Sequence, residues 1–280
     1  MNVWSASRTM LMALVVASCA TGGEHSEKVA IVAPGSTQTD TRTASYEATL
    51  TAVVDVLEQK IGLPRVEVPL VLFPTRRAFE QGLVDVGYTK ELARAASSFN
   101  AIGGARAVLV NASIVNGLTR TRRVRLIAHE VVHSVQYRLG GGTRGASEQW
   151  LREGFAEWVA CRVTAHLGLA SFDSLRDELV RQLGASQAGL RPAPFDKLAT
   201  FPQWVEAQSR YDTPLYAQAF IATELLVEKH GVPAMIRYFE SFRSTQDYER
   251  AFADAFGLDR PSFERLFMRR WQATVGQAGR

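Results

Sequence analysis

The chain is poor in both cysteine and lysine for its size. Cysteine occurs only at Cys19 and Cys161 in 280 residues, far apart in sequence, which excludes a disulfide framework and any CxxC redox motif. Lysine occurs only at Lys28, Lys60, Lys90, Lys197 and Lys229, so the basic charge is almost all arginine. Basic residues number 32 against 28 acidic, a small excess of +4. The one dense basic run, Arg120 to Arg125, has no aromatic interleaving and reads as a solvated helix start, so no nucleic-acid partner is expected. A phosphate-binding glycine loop and a serine-centred elbow are both missing. What is present is ordinary globular material: 46% hydrophobic and 21% charged residues exclude wholesale disorder and allow a sizeable core.

The N-terminus reads as a targeting segment. Arg8 precedes an apolar run from Met10 to Ala17, roughly eight residues and under half of the ~20 that span a bilayer. Val16-Ala17-Ser18-Cys19 resembles a bacterial lipobox, which makes residues 1–19 a signal peptide and Cys19 a lipid-modified anchor at the cell envelope. Ser18-Cys19-Ala20 also fits an ordinary small-x-small cleavage site, which instead releases a secreted or periplasmic soluble chain from Thr21. The lipobox is preferred because it explains a cysteine at that place. Residues 20–45, rich in Thr, Ser and Gly, read as a flexible tether, although Val29 to Ala33 has the composition of a short strand. Residues 46–275 form the expected domain.

Within that domain strands come early and helices late, which predicts an α+β fold. Tyr46 to Gln59 has a helical stripe, and Val66 to Phe73 reads as a buried strand. Pro74 to Val84 and Thr89 to Ala96 read as short helices, and Gly103-Gly104 as the turn of a hairpin. Helices are expected over Arg120 to Arg138, Glu148 to Leu167 and Ser174 to Leu183. Leu190 to Thr213, with three prolines, reads as a long connection that shapes a cleft. Helices follow over Tyr216 to Lys229, Pro233 to Phe242, Tyr248 to Phe256 and Pro261 to Val275.

The chemistry-bearing motif is His129-Glu130-Val131-Val132-His133. On a helix, residues four apart share a face, so His129 and His133 can converge on one zinc ion. Glu130 lies about 100° round the helix, where it reaches a water at the metal and acts as general base. A catalytic site needs a third ligand and an open position. The next helix reads Trp150-Leu151-Arg152-Glu153-Gly154-Phe155-Ala156-Glu157-Trp158. Glu153 and Glu157 share one face of an otherwise apolar helix, where two unpartnered acids are costly to bury. Glu153 is therefore expected to bind zinc, and Glu157 to accept the N–H of a ligating imidazole, His129. Gly154 and Ala156 suit close packing of one helix on the other. Trp150, Trp158 and Cys161 read as core, and His166 and His230 as helix-end residues without a metal role.

HEVVH with WLREGFAEW resembles the gluzincin metallopeptidases, above all the small bacterial group called peptidase MA-like, from about Val66 to Val275. The resemblance implies a zincin-like domain with a two-helix zinc core and a helical C-terminal part. It also implies one zinc held by His129, His133 and Glu153, with Glu130 as base and Glu157 supporting a ligand. Nineteen residues, Ser134 to Arg152, separate the motifs, one more than zinc aminopeptidases usually show, and their Gly-x-Met-Glu-Asn strand is absent. An aminopeptidase is therefore disfavoured. By the same resemblance an edge strand pairs with substrate, for which Ala107 to Asn111 is the candidate. A tyrosine, Tyr216 with Tyr211 as its rival, is expected to stabilise the transition state. The function implied is a zinc-dependent peptidase acting on a peptide or protein substrate. A non-catalytic envelope lipoprotein with a metal-braced helix pair, or a zinc hydrolase of a non-peptide amide, fits the same residues.

Overall fold

The computed structural model describes residues 29–33, 41–142, 147–184 and 191–278. The signal segment, Cys19 and the rest of residues 1–28 lie outside the described residues. The fold is α+β, mostly helical with one small sheet near the N-terminus.

The sheet has four strands in the order β1-β2-β4-β3: β1 (Ala30–Val32), β2 (Leu70–Phe73), β3 (Ala101–Gly103) and β4 (Val108–Asn111). Helix α1 (Thr41–Val56), prolonged by a π turn over Leu57–Ile61, separates the first two strands. Helices α2 (Arg76–Asp85) and α3 (Lys90–Ala96) carry the chain over to the β3–β4 hairpin. β4 then returns parallel to β2, pairing Leu70 with Val108 and Leu72 with Val110. That crossover places β4 inside the sheet and leaves β3 at its edge, antiparallel to β4.

Side chains alternate across this sheet with period two. Leu70, Leu72, Val108, Val110 and Ala101 enter the main core, which also holds α1 and the later helices. Val71, Phe73 and Leu109 face the other way, into a second, smaller core under α2 and α3.

After a four-residue helix, α4 (Ala112–Val115), come the two central helices, α5 (Arg120–Leu139) and α6 (Gln149–His166). The hydroxyl of Thr119 caps α5 by accepting from the Arg122 N–H. Both helices are buried over most of their length, with Val131, Val132, Val135, Trp150, Leu151 and Phe155 fully shielded. Around them stand α7 (Phe172–Gly184), α8 (Phe201–Arg210), α9 (Leu215–Ser241), α10 (Tyr248–Phe256) and α11 (Arg260–Ala278). The two helices expected over 216–229 and 233–242 run as one path, α9, broken at Gly231 (φ 74°). Buried Glu148 ties α11 to the start of α6 through Arg260, and also accepts from Trp150 Nε1 at 3.1 Å.

Four expectations are corrected. The stretch 20–45 is not tether throughout: Ala30–Val32 pairs with β2, Val32 is fully buried, and α1 already starts at Thr41. The strand expected from Val66 to Phe73 pairs only over Leu70–Phe73; Val66 and Val68 are buried without joining the ladder. The connection from 190 to 213 contains α8, opened by a capping box of Thr200 and Gln203 with Pro202 in its first turn. A proline there removes only an N–H that has no helical partner. Finally, Gly154 packs α6 against α9 rather than α5: a Cβ built there would lie 2.2 Å from the Ala219 carbonyl oxygen. Among the described residues no helix is long and apolar enough to cross a membrane.

Candidate metal centre

One turn of α5 and one turn of α6 bring together the residues singled out in the sequence. His129 and His133 share a face of α5, and Glu153 and Glu157 share a face of α6. All four are buried, as is Glu130. His129 Nε2, His133 Nε2 and the Glu153 carboxylate form a triangle, with 3.2 Å between the two nitrogens, 3.1 Å from His129 Nε2 to Glu153 Oε2 and 3.4 Å from His133 Nε2 to the other oxygen, Oε1.

These spacings match those of a metal site. Four tetrahedral ligands at 2.0–2.1 Å from an ion stand roughly 3.3–3.4 Å apart. The hydrogen bonds on the far side of each imidazole agree. His129 Nδ1 donates to Glu157 Oε2 at 3.0 Å, and His133 Nδ1 to Gln136 Oε1 at 2.8 Å. The Gln136 amide is held in that sense by its own Nε2, which donates to the Arg152 carbonyl at 2.9 Å. With both Nδ1 atoms engaged as donors, Nε2 is the nitrogen that each ring has left to turn toward a cation. His129, His133 and Glu153 thus form a buried group able to hold a metal ion.

The charges are strongly coupled. Burial alone disfavours the Glu153 carboxylate, but the two histidines outweigh it and hold its pKa well below the ordinary range. Glu157 is lowered to about 2 against the same burial, by its bond to His129 and by the Arg125 guanidinium. His129 moves upward, because its bonds to Glu153 and Glu157 overcome the cost of burying an imidazolium. Glu130 moves upward as well, through burial, with His129 and His133 opposing.

Glu130 stands outside the triangle. Its Oε2 accepts the backbone N–H of Gly103 in β3 at 2.5 Å. Gly103 must lack a side chain, since a Cβ there would lie 2.1 Å from the Glu130 carbonyl oxygen and 2.8 Å from His133 Cβ. The edge strand beside the centre is therefore Ala101–Gly103. The expected Ala107–Asn111 is the hairpin's return strand and is covered on both sides. In the hairpin Asn100 O accepts from Asn111 N–H, and Gly104 N–H donates to Ala107 O. The alternation of an antiparallel ladder then turns the backbone groups of Ala101 and Gly103 outward.

Tyr216, at the start of α9, sets its ring 6.0 Å from that of His129 and 5.2 Å from Trp204 of α8. Burial raises its phenol well above the ordinary value, with Glu153 and Glu130 adding to the effect. Tyr211 closes the C-terminal end of α8 and packs, partly buried, on the main core. His166 is exposed at the end of α6, and His230 packs on Phe256. Cys161 is buried, and its thiol is pushed up by burial.

Four partners were not anticipated. Arg125 of α5 bonds Glu157 through Nε at 2.7 Å and through Nη2. Gln149 donates to Glu153 Oε1 at 2.6 Å, Gln136 orients His133, and Gly103 holds Glu130. Gln149 lies four residues before Glu153, a spacing visible in the sequence, whereas Arg125 lies 32 residues from Glu157. Gly103, 27 residues from Glu130, leaves no such trace.

The chain is 26% identical over 123 residues to a Bacillus subtilis (strain 168) protein named only as uncharacterized protein YhcO. That match takes in 44% of this chain and 32% of the relative's length. No family model and no solved structure matches the chain.

Proposed function

We propose that the chain is a zinc-dependent peptidase of the kind its motifs resemble, the gluzincins, and not an aminopeptidase. The observation that carries this reading is the division of labour among buried acids. Glu153 belongs to the triangle of metal-capable atoms, while Glu130 stands beside it, held by Gly103. A site built only to brace two helices needs no such acid, and structural zinc normally takes four protein ligands.

His129, His133 and Glu153 would hold the ion. Bound zinc supplies Lewis acidity, which polarises a carbonyl and lowers the pKa of water. Glu130 is the chain's own proton carrier, taking the proton of the attacking water and delivering it to the leaving amine. Burial lifts its pKa toward the range useful for that exchange. The Gly103 bond fixes one carboxylate oxygen, so the other is left for the proton. Tyr216, kept protonated by burial and neighbouring carboxylates, donates its hydroxyl to the developing oxyanion. The outward backbone groups of Ala101 and the outward carbonyl of Gly103, whose N–H is taken by Glu130, pair with an extended substrate chain. The N-terminal reading joins this one: Cys19 carries a lipid that keeps the enzyme at a bacterial envelope.

The test combines metal analysis and hydrolysis. Wild-type protein reconstituted with zinc is expected to hold one ion per chain and to cleave members of a quenched-peptide library. Glu153→Ala loses the ion, and Glu130→Gln keeps it but loses cleavage. A wild-type chain that holds no stoichiometric zinc sinks the reading. One that holds zinc but cleaves acylated amines rather than peptides moves it to a non-peptide amide.

A further inference from the structure

The edge strand beside the centre carries information in its side chains as well as its backbone. Alternation puts Ala101 and Gly103 on the α5 face, and Ile102 on the opposite one. There Ile102 packs on the second core together with Leu92, Phe99 and Phe201, all four partly exposed. Helix α8 links this apolar wall to the metal-capable group. Phe201, its first residue, sets its ring 6.4 Å from Phe99, and Trp204, one turn on, packs against Tyr216. Ile102 of the wall and Gly103 beside Glu130 are thus neighbours on one strand.

The ladder specifies which partner residue meets the wall. Ile102 turns its backbone groups inward to Leu109 of β4, so across the outer edge, which no strand among the described residues pairs and where Glu130 takes the Gly103 N–H, it is a non-hydrogen-bonded position for an antiparallel partner. Facing side chains approach most closely at such positions, with Cα atoms about 4.5 Å apart. Residues on either side of that partner point to the α5 face, toward Glu130 and His129.

We propose that the site takes an extended peptide paired along β3, with a large apolar side chain opposite Ile102, seated on Ile102, Phe99 and Phe201. The inference rests on the peptidase reading for its chemistry, while the side-chain preference follows from sheet geometry. A charged side chain at that place loses its hydration against apolar groups. The apolar residue also lies one place from the residue that faces Gly103 and Glu130, so it keeps a fixed distance from any bond that is cut.

Binding and cutting are measured separately. In the first arm, fluorescence anisotropy follows labelled unstructured peptides with a central Leu or Ser. They are titrated with the full chain and with Glu130→Gln, each with and without zinc. The Leu peptide is expected to bind roughly tenfold tighter or more. Phe201→Ser and Ile102→Thr each shrink that ratio to below about threefold, while circular dichroism confirms their fold. Equal binding of the two peptides, no binding, or a preference untouched by both variants overturns the inference. In the second arm, mass spectrometry maps cuts by the zinc-loaded wild type in a mixed peptide library. An apolar residue at one fixed place from the cut supports the inference, and cuts without one overturn it. A library left uncut counts against the peptidase reading, and the anisotropy arm then decides the pairing by itself.

Discussion

The backbone N–H of Gly103, on the sheet's edge strand, donates to Oε2 of Glu130, on the central helix, across 2.5 Å. The contact couples the edge strand of the sheet to the acid that stands next to the metal-capable triangle. It also makes the glycine irreplaceable in size, because any Cβ at 103 meets the Glu130 carbonyl.

That coupling predicts different outcomes for two substitutions. Glu130→Gln keeps shape and zinc content but cuts turnover by at least roughly 100-fold, the lower range of general-base contributions. Gly103→Val forces β3 off α5 and lowers both turnover and stability, by about 1–3 kcal/mol for the overpacking. Steady-state kinetics and urea unfolding of the two variants separate the chemical from the steric effect.

Glu157 is bonded to His129 on one oxygen and to Arg125 on the other. Glu157→Ala is expected to weaken zinc affinity about 10–100-fold, since it frees the imidazole to turn. Arg125→Gln weakens it less, because the His129 bond survives. Competition with a chromophoric chelator measures both, and wild-type affinity in Glu157→Ala would contradict the role assigned to that acid.

Proton linkage follows from the shifted groups in the metal-free chain. His129 is raised above its ordinary 6.5, so its stabilising contribution is complete below that value and is lost as pH climbs through the folded one. Glu157 is lowered from 4.5 to about 2, so its contribution is complete above 4.5 and is lost as pH falls toward 2. Zinc must displace the His129 proton, and its affinity is expected to rise with pH until His129 is deprotonated. Titration calorimetry in buffers of unlike ionisation enthalpy reads the released proton directly.

Helix α6 closes on α9 at Gly154, where a Cβ would lie 2.2 Å from Ala219 O and 2.3 Å from Thr223 Oγ1. Gly154→Ala is expected to cost about 1–3 kcal/mol and to shift Glu153 from its place. Denaturant unfolding with zinc titration checks both; an unchanged midpoint would show that the helices part at little cost.

At the N-terminus, Cys19→Ala is expected to move the chain from the membrane fraction to the soluble fraction when expressed in a bacterial host. Mass spectrometry of the wild-type N-terminus distinguishes a lipid-modified Cys19 from a plain Thr21.

What the sequence determined by itself is local. A helical period puts His129 with His133, and Glu153 with Glu157, on common faces whatever the rest of the chain does. The order of strands before helices likewise implied α+β. The caps at Thr119 and Thr200 sit one residue before their helices, yet the prolines around Thr200 hid α8 from view. Everything that joins distant segments was decided by tertiary packing. The parallel return of β4 onto β2 made β3 the edge, while the two faces of the sheet went to separate cores. The approach of α8 and α9 placed Tyr216 against His129, with Tyr211 at the C-terminal end of α8. Gly154 found α9 instead of α5, and Gly103 found Glu130. Spacing along a helix fixes direction within about one turn, whereas contact between segments depends on burial balanced over the whole chain.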